Sequence, residues 1–195
     1  MPVTTKRRIV ETHSYAERGL DCYPSPPEAV NALLRIEDIP AIVWEPAAGL
    51  GNIVEPLRDR GHVVYASDVE DYGYELDYGV GDYLTMTTPI GIGAIVTNPP
   101  FKLAEKFLQK SLNEAPYVAY LLRLQWLEGI ERMAMFTWSP PSRIWVSSRR
   151  LPMMHRKGYT GPKSTSNQCF AWFIFEHGNY SRRVGFFDWK TGAII

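Results

Sequence analysis

Residues 42 to 51 read Ile42-Val43-Trp44-Glu45-Pro46-Ala47-Ala48-Gly49-Leu50-Gly51, an apolar run of strand length that stops at an acid and enters a turn of small residues. A helical stretch follows over 52–60, and His62-Val63-Val64-Tyr65-Ala66-Ser67 then reads as a second strand ending at Asp68. Strand, turn, helix and strand in this order make a βαβ unit, whose two strands are parallel and joined by a right-handed crossover. A Gly-x-Gly turn between strand and helix lets the backbone approach a ligand closely, with helix N–H groups directed at it. Val54 stands where a dinucleotide fingerprint has its third glycine, which argues against a pyrophosphate cofactor. An acid about 20 residues beyond such a turn is placed to hold ribose hydroxyls. Asp68 is the first candidate, with Glu70 and Asp71 as close rivals.

The pattern continues in both directions. Pro26-Pro27-Glu28 opens a helix through about Ile36, since proline suits the first turn and an acid there suits the helix dipole. Residues 69–91, rich in Asp, Tyr and Gly, hold at most short elements and read as the rim of the cofactor pocket. Next come a strand over 92–97, a helix near 102–112 with Leu103, Phe107 and Leu108 on one face, a strand over 117–122 and a helix near 127–136. Strands over 143–147 and 168–176, separated by a long basic loop at 148–167, close the chain. Joined without a helix, they predict an antiparallel C-terminal hairpin on a mostly parallel twisted sheet. The chain reads as a flexible amino-terminal arm over 1–20 and a single domain over 21–195.

The strand at 92–97 runs directly into Asn98-Pro99-Pro100-Phe101. Two consecutive prolines fix φ near about −65° and withdraw two backbone donors, so the turn is stiff and its carbonyls accept hydrogen bonds. The Asn98 side-chain oxygen and the Pro99 carbonyl are suited to take both protons of an exocyclic NH2 group, and Phe101 offers a ring for a planar base. Read alone, the same residues also make an ordinary strand-ending turn.

Taken together, these segments resemble the class I S-adenosylmethionine-dependent methyltransferases, and among them the amino-methyltransferases with an (Asp/Asn/Ser)-Pro-Pro-(Tyr/Phe) motif. Asp21-Cys22-Tyr23-Pro24-Ser25-Pro26-Pro27, Leu122-Arg123-Leu124-Gln125-Trp126-Leu127-Glu128-Gly129 and Ala171-Trp172-Phe173-Ile174-Phe175 are similar to small phage and prophage adenine-N6 methyltransferases. The resemblance implies a Rossmann-like α/β fold of seven strands with an antiparallel last strand. It implies S-adenosyl-L-methionine as cofactor, held by Tyr23, Ser25, Glu45, Pro46, Ala47, Gly49, Gly51, Asp68, Asp82 and Asn98, with Asp82 meeting the adenine amine. Catalysis is expected from Asn98, Pro99, Pro100 and Phe101. DNA adenine N6 is the expected acceptor, flipped from a duplex onto Phe101. Asn at the motif's first position also occurs in guanine-N2 and glutamine-amide enzymes, so an RNA base and a protein amide remain open. So does a catalytically idle binding module.

Composition fits a single soluble unit: 195 residues, 45% hydrophobic and 22% charged, with no apolar run long enough for a membrane span. The first 20 residues lack a signal-peptide h-region, and a cytoplasmic location is expected. Cys22 and Cys169 are too few and too unpatterned for a disulfide framework or a metal site. Zero net charge conceals segregation: residues 1–100 hold 7 basic and 15 acidic side chains, residues 101–195 hold 14 and 6. Arg143, Arg149, Arg150, Arg156, Lys157 and Lys163 occur with no intervening acid, a stretch suited to nucleic-acid phosphates. Arg149, Arg150, Arg156, Lys157 and Lys163 are the expected nucleic-acid contacts. Trp126, Trp138, Trp145 and Trp172 are expected to pack in the core or a lid, with Trp126 the one other candidate for base stacking.

Overall fold

The computed structural model describes residues 24–152 and 168–194. Strands β1 (Ile42–Glu45), β2 (Val63–Ala66), β3 (Ala94–Thr97), β4 (Tyr117–Arg123), β5 (Arg143–Ser147), β6 (Phe170–Glu176) and β7 (Arg183–Phe187) form one sheet in the order β2-β1-β3-β4-β6-β5-β7. Helices α1 (Pro27–Ile36), α2 (Val54–Asp59), α3 (Ala104–Glu114) and α4 (Ile130–Trp138) flank it. β1 pairs in parallel with β2 from Ile42 opposite Val63 to Glu45 opposite Ala66, as the βαβ reading requires.

Side-chain alternation along the strands builds two cores. Val43, Val96, Ala119, Leu121, Trp172 and Ile174 face α1 and α2, while Trp44, Ile95, Tyr120, Leu122, Phe173 and Phe175 face α3. The middle strands β4 and β6 are therefore buried on both faces and read as continuous apolar runs. α1 starts with Pro27 in its first turn and buries Ala29, Val30, Ala32 and Leu33. The indole Nε1 of Trp172 donates to the Ala29 carbonyl at 2.9 Å and ties this helix to β6.

Among the described residues the sheet has seven strands, and the antiparallel hairpin expected over 143–147 and 168–176 is present, while a further strand not expected from the sequence follows it. The hairpin partners β5 and β6 pair antiparallel, and β6 is inserted between β4 and β5. The chain then adds β7, parallel to β5 at the sheet edge, so β6 is the one strand opposed to the other six. Gly185 permits this: a Cβ there would lie 2.3 Å from the Trp145 ring, which sits directly against the strand. The helix expected near 127–136 divides into a 3-10 turn at Leu124–Leu127 and α4. No helix among the described residues is long and apolar enough to cross a membrane.

Candidate active site

A cavity of about 260 Å³ opens where the chain leaves the carboxyl ends of β1, β2 and β3, the edge at which open α/β sheets receive ligands. Pro46, Ala47, Ala48 and Gly49, in the turn after β1, form one wall. Ala48 N donates to the Ser67 carbonyl at 3.0 Å and Gly49 N to Asp68 Oδ2 at 2.8 Å, which fastens the turn to the end of β2. Asp68 Oδ1 accepts from Glu70 N at 3.1 Å. Each carboxylate oxygen has a second lone pair, so Asp68 keeps acceptor capacity toward the cavity it lines. Burial raises its pKa above the ordinary aspartate value, against the lowering effect of these backbone bonds. Glu70 and Asp71 are exposed and line no part of this cavity.

Two residues expected to touch cofactor lie behind the wall instead. Gly51 has φ 78°, and a Cβ there would lie 2.2 Å from the Tyr74 ring. Its glycine is thus explained by backbone conformation and by Tyr74, whose hydroxyl donates to Glu55 and accepts from Arg58 at 3.1 Å. Glu45 is fully buried; its Oε1 accepts from Ala47 N at 2.9 Å and from Thr97 Oγ1 at 2.6 Å. Its Oε2 is buried with no hydrogen-bond partner among the described residues. Desolvation pushes the Glu45 carboxyl up to about 8, although the Thr97 and Ala47 bonds lower it. Glu45 joins β1, the turn and β3 beneath the cavity.

Asn98, Pro99, Pro100 and Phe101 make the opposite wall. Leu103 N donates to the Pro100 carbonyl at 2.8 Å, so the proline turn passes tightly toward α3. Asn98 Nδ2 donates to Ser25 Oγ at 3.1 Å, and the Ser25 carbonyl accepts from Asn52 Nδ2 at 3.0 Å. The segment before α1 thereby links both walls and orients the Asn98 amide. The guanidinium of Arg123 lies over the Phe101 ring, 4.3 Å from its centroid, and the Phe170 ring is 6.5 Å away. Tyr83 and Phe107, with ring centroids 4.6 Å apart, add an aromatic lining. Asp82 stands at the exposed rim; its Oδ1 accepts from Leu84 N at 2.9 Å, so it both closes a turn and lines the cavity. Among the described residues, the lining contains Asp68 and Asp82 and no Lys or Arg. Asn52, Tyr83 and Phe107 were not singled out in the sequence as site residues, because an ordinary amide and two aromatics carry no spacing signal.

The expected nucleic-acid contacts are only partly described. Tyr23, Arg156, Lys157, Lys163, the arm at 1–20 and most of the loop at 148–167 lie outside the described residues. Arg149 Nε bonds Asp188 Oδ2 at 2.6 Å, which lowers the Asp188 pKa and offsets the arginine's charge. Arg150 lines a second cavity with Gln125, Glu128 and Gln168. Arg143 is an internal brace: its Nε and Nη1 bond Glu37 and Glu176 at 2.7 Å each, and Glu37 also accepts from Trp145 Nε1 at 2.6 Å. Arg143 thus leaves the run of cations offered to phosphates. Trp126, Trp145 and Trp172 are buried as expected, and Trp126 packs edge-on against Phe136 and Phe173 rather than offering a face for stacking. Trp138 is 85% exposed at the end of α4, against expectation.

No protein-family model matches the sequence, and no curated protein matches it. Solved structures do share the fold. A Pyrococcus horikoshii protein inferred to be an RNA methyltransferase superposes with TM-score 0.61 and 17% identity, over 88% of this chain and 93% of that one. A Listeria monocytogenes protein inferred to be a class I S-adenosylmethionine-dependent methyltransferase gives 0.60 and 10%, over 83% and 65%. The methyltransferase subunit of a type I restriction-modification system from Streptococcus thermophilus gives 0.60 and 12%, over 85% of this chain and 47% of that subunit. At these identities the likeness is one of architecture, and the architecture of this chain is the Rossmann-like fold of the class I methyltransferases.

Proposed function

We propose that the protein is an S-adenosylmethionine-dependent methyltransferase acting on the N6 amine of adenine in DNA. The observation that carries this reading is one cavity lined on one side by the Gly49 turn, Asp68 and Asp82, and on the other by Asn98, Pro99, Pro100 and Phe101. The lining suits that cofactor: two carboxylates and, among the described residues, no cation favour a ligand with ammonium and sulfonium charge over an anionic dinucleotide. Asp68 would accept from ribose hydroxyls and Asp82 from the adenine amine, with Tyr83 and Phe107 as apolar neighbours. When bound, S-adenosylmethionine supplies an electrophilic methyl whose C–S bond breaks as the new N–C bond forms, leaving a neutral thioether.

The residues of the chain prepare the amine. Its lone pair is delocalised into the base and is a weak nucleophile. Asn98 Oδ1 and the Pro99 carbonyl accept its two hydrogens, which returns electron density to nitrogen and turns the lone pair toward the methyl. Ser25 holds the Asn98 amide by its Nδ2. Phe101 carries the base on its ring. Positioning and fixed dipoles thus lower the barrier, and no general base with a shifted pKa is required. The nitrogen is acidic once methylated and loses its proton to solvent.

An RNA base, at adenine N6 or guanine N2, is the second reading, since Asn98 accepts from either amine. The basic carboxyl-terminal half favours a nucleic acid over a protein amide. The deciding experiment incubates the protein with methyl-labelled cofactor and separate DNA, RNA and protein pools. Label in DNA supports the proposal, label in RNA alone supports the second reading, and label in protein alone refutes both.

A further inference from the structure

Asp82 and Tyr83 reach the cavity from residues 81–86, a stretch outside helix and strand. Such a loop holds a fixed shape only through its anchors. Gly81 N donates to the Asp68 carbonyl at 2.8 Å, which ties its start to the end of β2. Its other two anchors come from α3. Phe107 packs its ring on that of Tyr83 at 4.6 Å, and Ser111, one turn later on the same helix face, lies 2.7 Å from the Tyr83 hydroxyl. Lys110 Nζ donates to the Met86 carbonyl at 3.0 Å and stands 5.3 Å from the centroid of the Tyr83 ring. Lys110 also pairs with Glu114 at 2.5 Å, and the two side chains are only 20% and 15% exposed. An exposed pair at this spacing stabilises a helix little. This one is drawn inward and turned onto the loop.

The hydroxyl protons give the network a direction. Ser111 Oγ is 2.5 Å from the Tyr120 hydroxyl, and both residues are fully buried. Each of the three hydroxyls has one proton to donate. Tyr83 donates to Glu114 Oε2 at 3.4 Å, so Ser111 donates to Tyr83 and Tyr120 to Ser111. The Tyr83 hydroxyl is thereby engaged by α3, and burial raises its pKa, so the proton stays in place. Its ring is left as the surface offered to a ligand. On the other branch, Met86 N donates to the Asp82 carbonyl at 2.9 Å, so a single residue stands between Lys110 and Asp82. Lys110, Ser111 and Glu114 line no part of the cavity themselves. Resting on the proposed function, we propose that these three are positioning residues for the cofactor. They hold Asp82 and Tyr83 at the cavity and act on cofactor affinity through that loop, without touching the ligand.

The test is a double-mutant cycle read by calorimetry, with S-adenosylhomocysteine as the probe and Tm measured for every variant. Lys110→Met keeps an apolar stem beside Tyr83 and removes the ammonium group. It is expected to weaken binding about 5-fold. In the Asp82→Ala background the same change is expected to cost about twofold or less, because the loop no longer presents that carboxylate. Sites that act independently would instead multiply their effects. Ser111→Ala removes a different anchor and is taken through the same cycle, so the test stands if Lys110→Met does not fold. Anchor effects that multiply in full onto Asp82→Ala overturn this inference and leave the proposed function standing. So do anchor variants with a lowered Tm and unchanged affinity, which mark a role in stability alone. If neither anchor variant folds, the cluster belongs to the fold rather than to the site, and the inference falls. A wild type that binds neither S-adenosylmethionine nor S-adenosylhomocysteine overturns the proposed function and this inference with it.

Discussion

Glu45→Gln should make the protein less sensitive to alkaline pH, and the size of the effect follows from burial. Glu45 has no exposed surface, and desolvation lifts its pKa from 4.5 to about 8. The folded state therefore holds a proton that the unfolded chain releases above pH 4.5. Folding stability falls as pH rises from about 4.5 to 8 and carries the full penalty only above the folded pKa. At about 1.36 kcal/mol per pKa unit, the penalty is roughly 5 kcal/mol as an upper bound. Glutamine keeps an acceptor for Ala47 N and Thr97 Oγ1 and cannot ionise, so it removes the penalty. Asp68, whose pKa is also raised, titrates in both proteins, and its Coulombic push on Glu45 is the smallest of the causes that raise or lower that group. At about 2–4 °C per kcal/mol for a chain of this size, wild-type Tm should fall about 10 °C more than that of the variant between pH 5 and 8.5. Scanning calorimetry across that range reads the difference directly. Parallel pH curves for the two proteins would show that Glu45 is ionised in the fold, and the account of its burial would be wrong.

Asn98→Ala should lower kcat by about 100-fold or more with cofactor affinity nearly unchanged, because the lost acceptor acts on the amine in the transition state. Ser25→Ala, which removes the bond to Asn98 Nδ2 at 3.1 Å, should produce a milder fall of the same kind in single-turnover kinetics. Asp82→Ala should weaken cofactor binding by about 1.5 kcal/mol in calorimetry, the low end for a charged hydrogen bond because this carboxylate is exposed. Replacing Arg156 and Lys157 by Ala should flatten the log–log salt dependence of DNA binding by up to roughly two units. Arg149→Ala should flatten it less, since Asp188 already pairs with Arg149, and an equal effect would contradict that ion pair's role.

The sequence carried the parallel half of the sheet because its strands are short apolar runs set between turn residues and helices. Ile42–Glu45 and the crossover through α2 to β2 follow from that spacing alone. β7 left no comparable trace: it is short, begins with an arginine, buries only part of one face, and carries Gly185 in its middle. The cavity lining was legible where it is built by a turn at a strand end, as with Asn98-Pro99-Pro100-Phe101 and Asp68. It was not legible where a residue acts through a distant partner. Gly51 is a glycine because of Tyr74, 23 positions later, and Arg143 is held by Glu37 across the fold. A run of cations counted along the chain cannot separate Arg143, inside, from Arg150, at the rim of a cavity. Trp138 shows the converse, since an aromatic residue on a helix was expected to pack in the core or a lid and is exposed.

The central claim is a methyl group placed on adenine N6 by the Asn98 turn. Unmethylated DNA, incubated with the protein and S-adenosylmethionine carrying a deuterated methyl, can be digested to nucleosides and weighed by mass spectrometry. The account predicts deuterated N6-methyl-2′-deoxyadenosine with the wild type and about 100-fold less with Asn98→Ala. Label on cytosine or guanine, or an N6-methyl yield unaffected by Asn98→Ala, would contradict it.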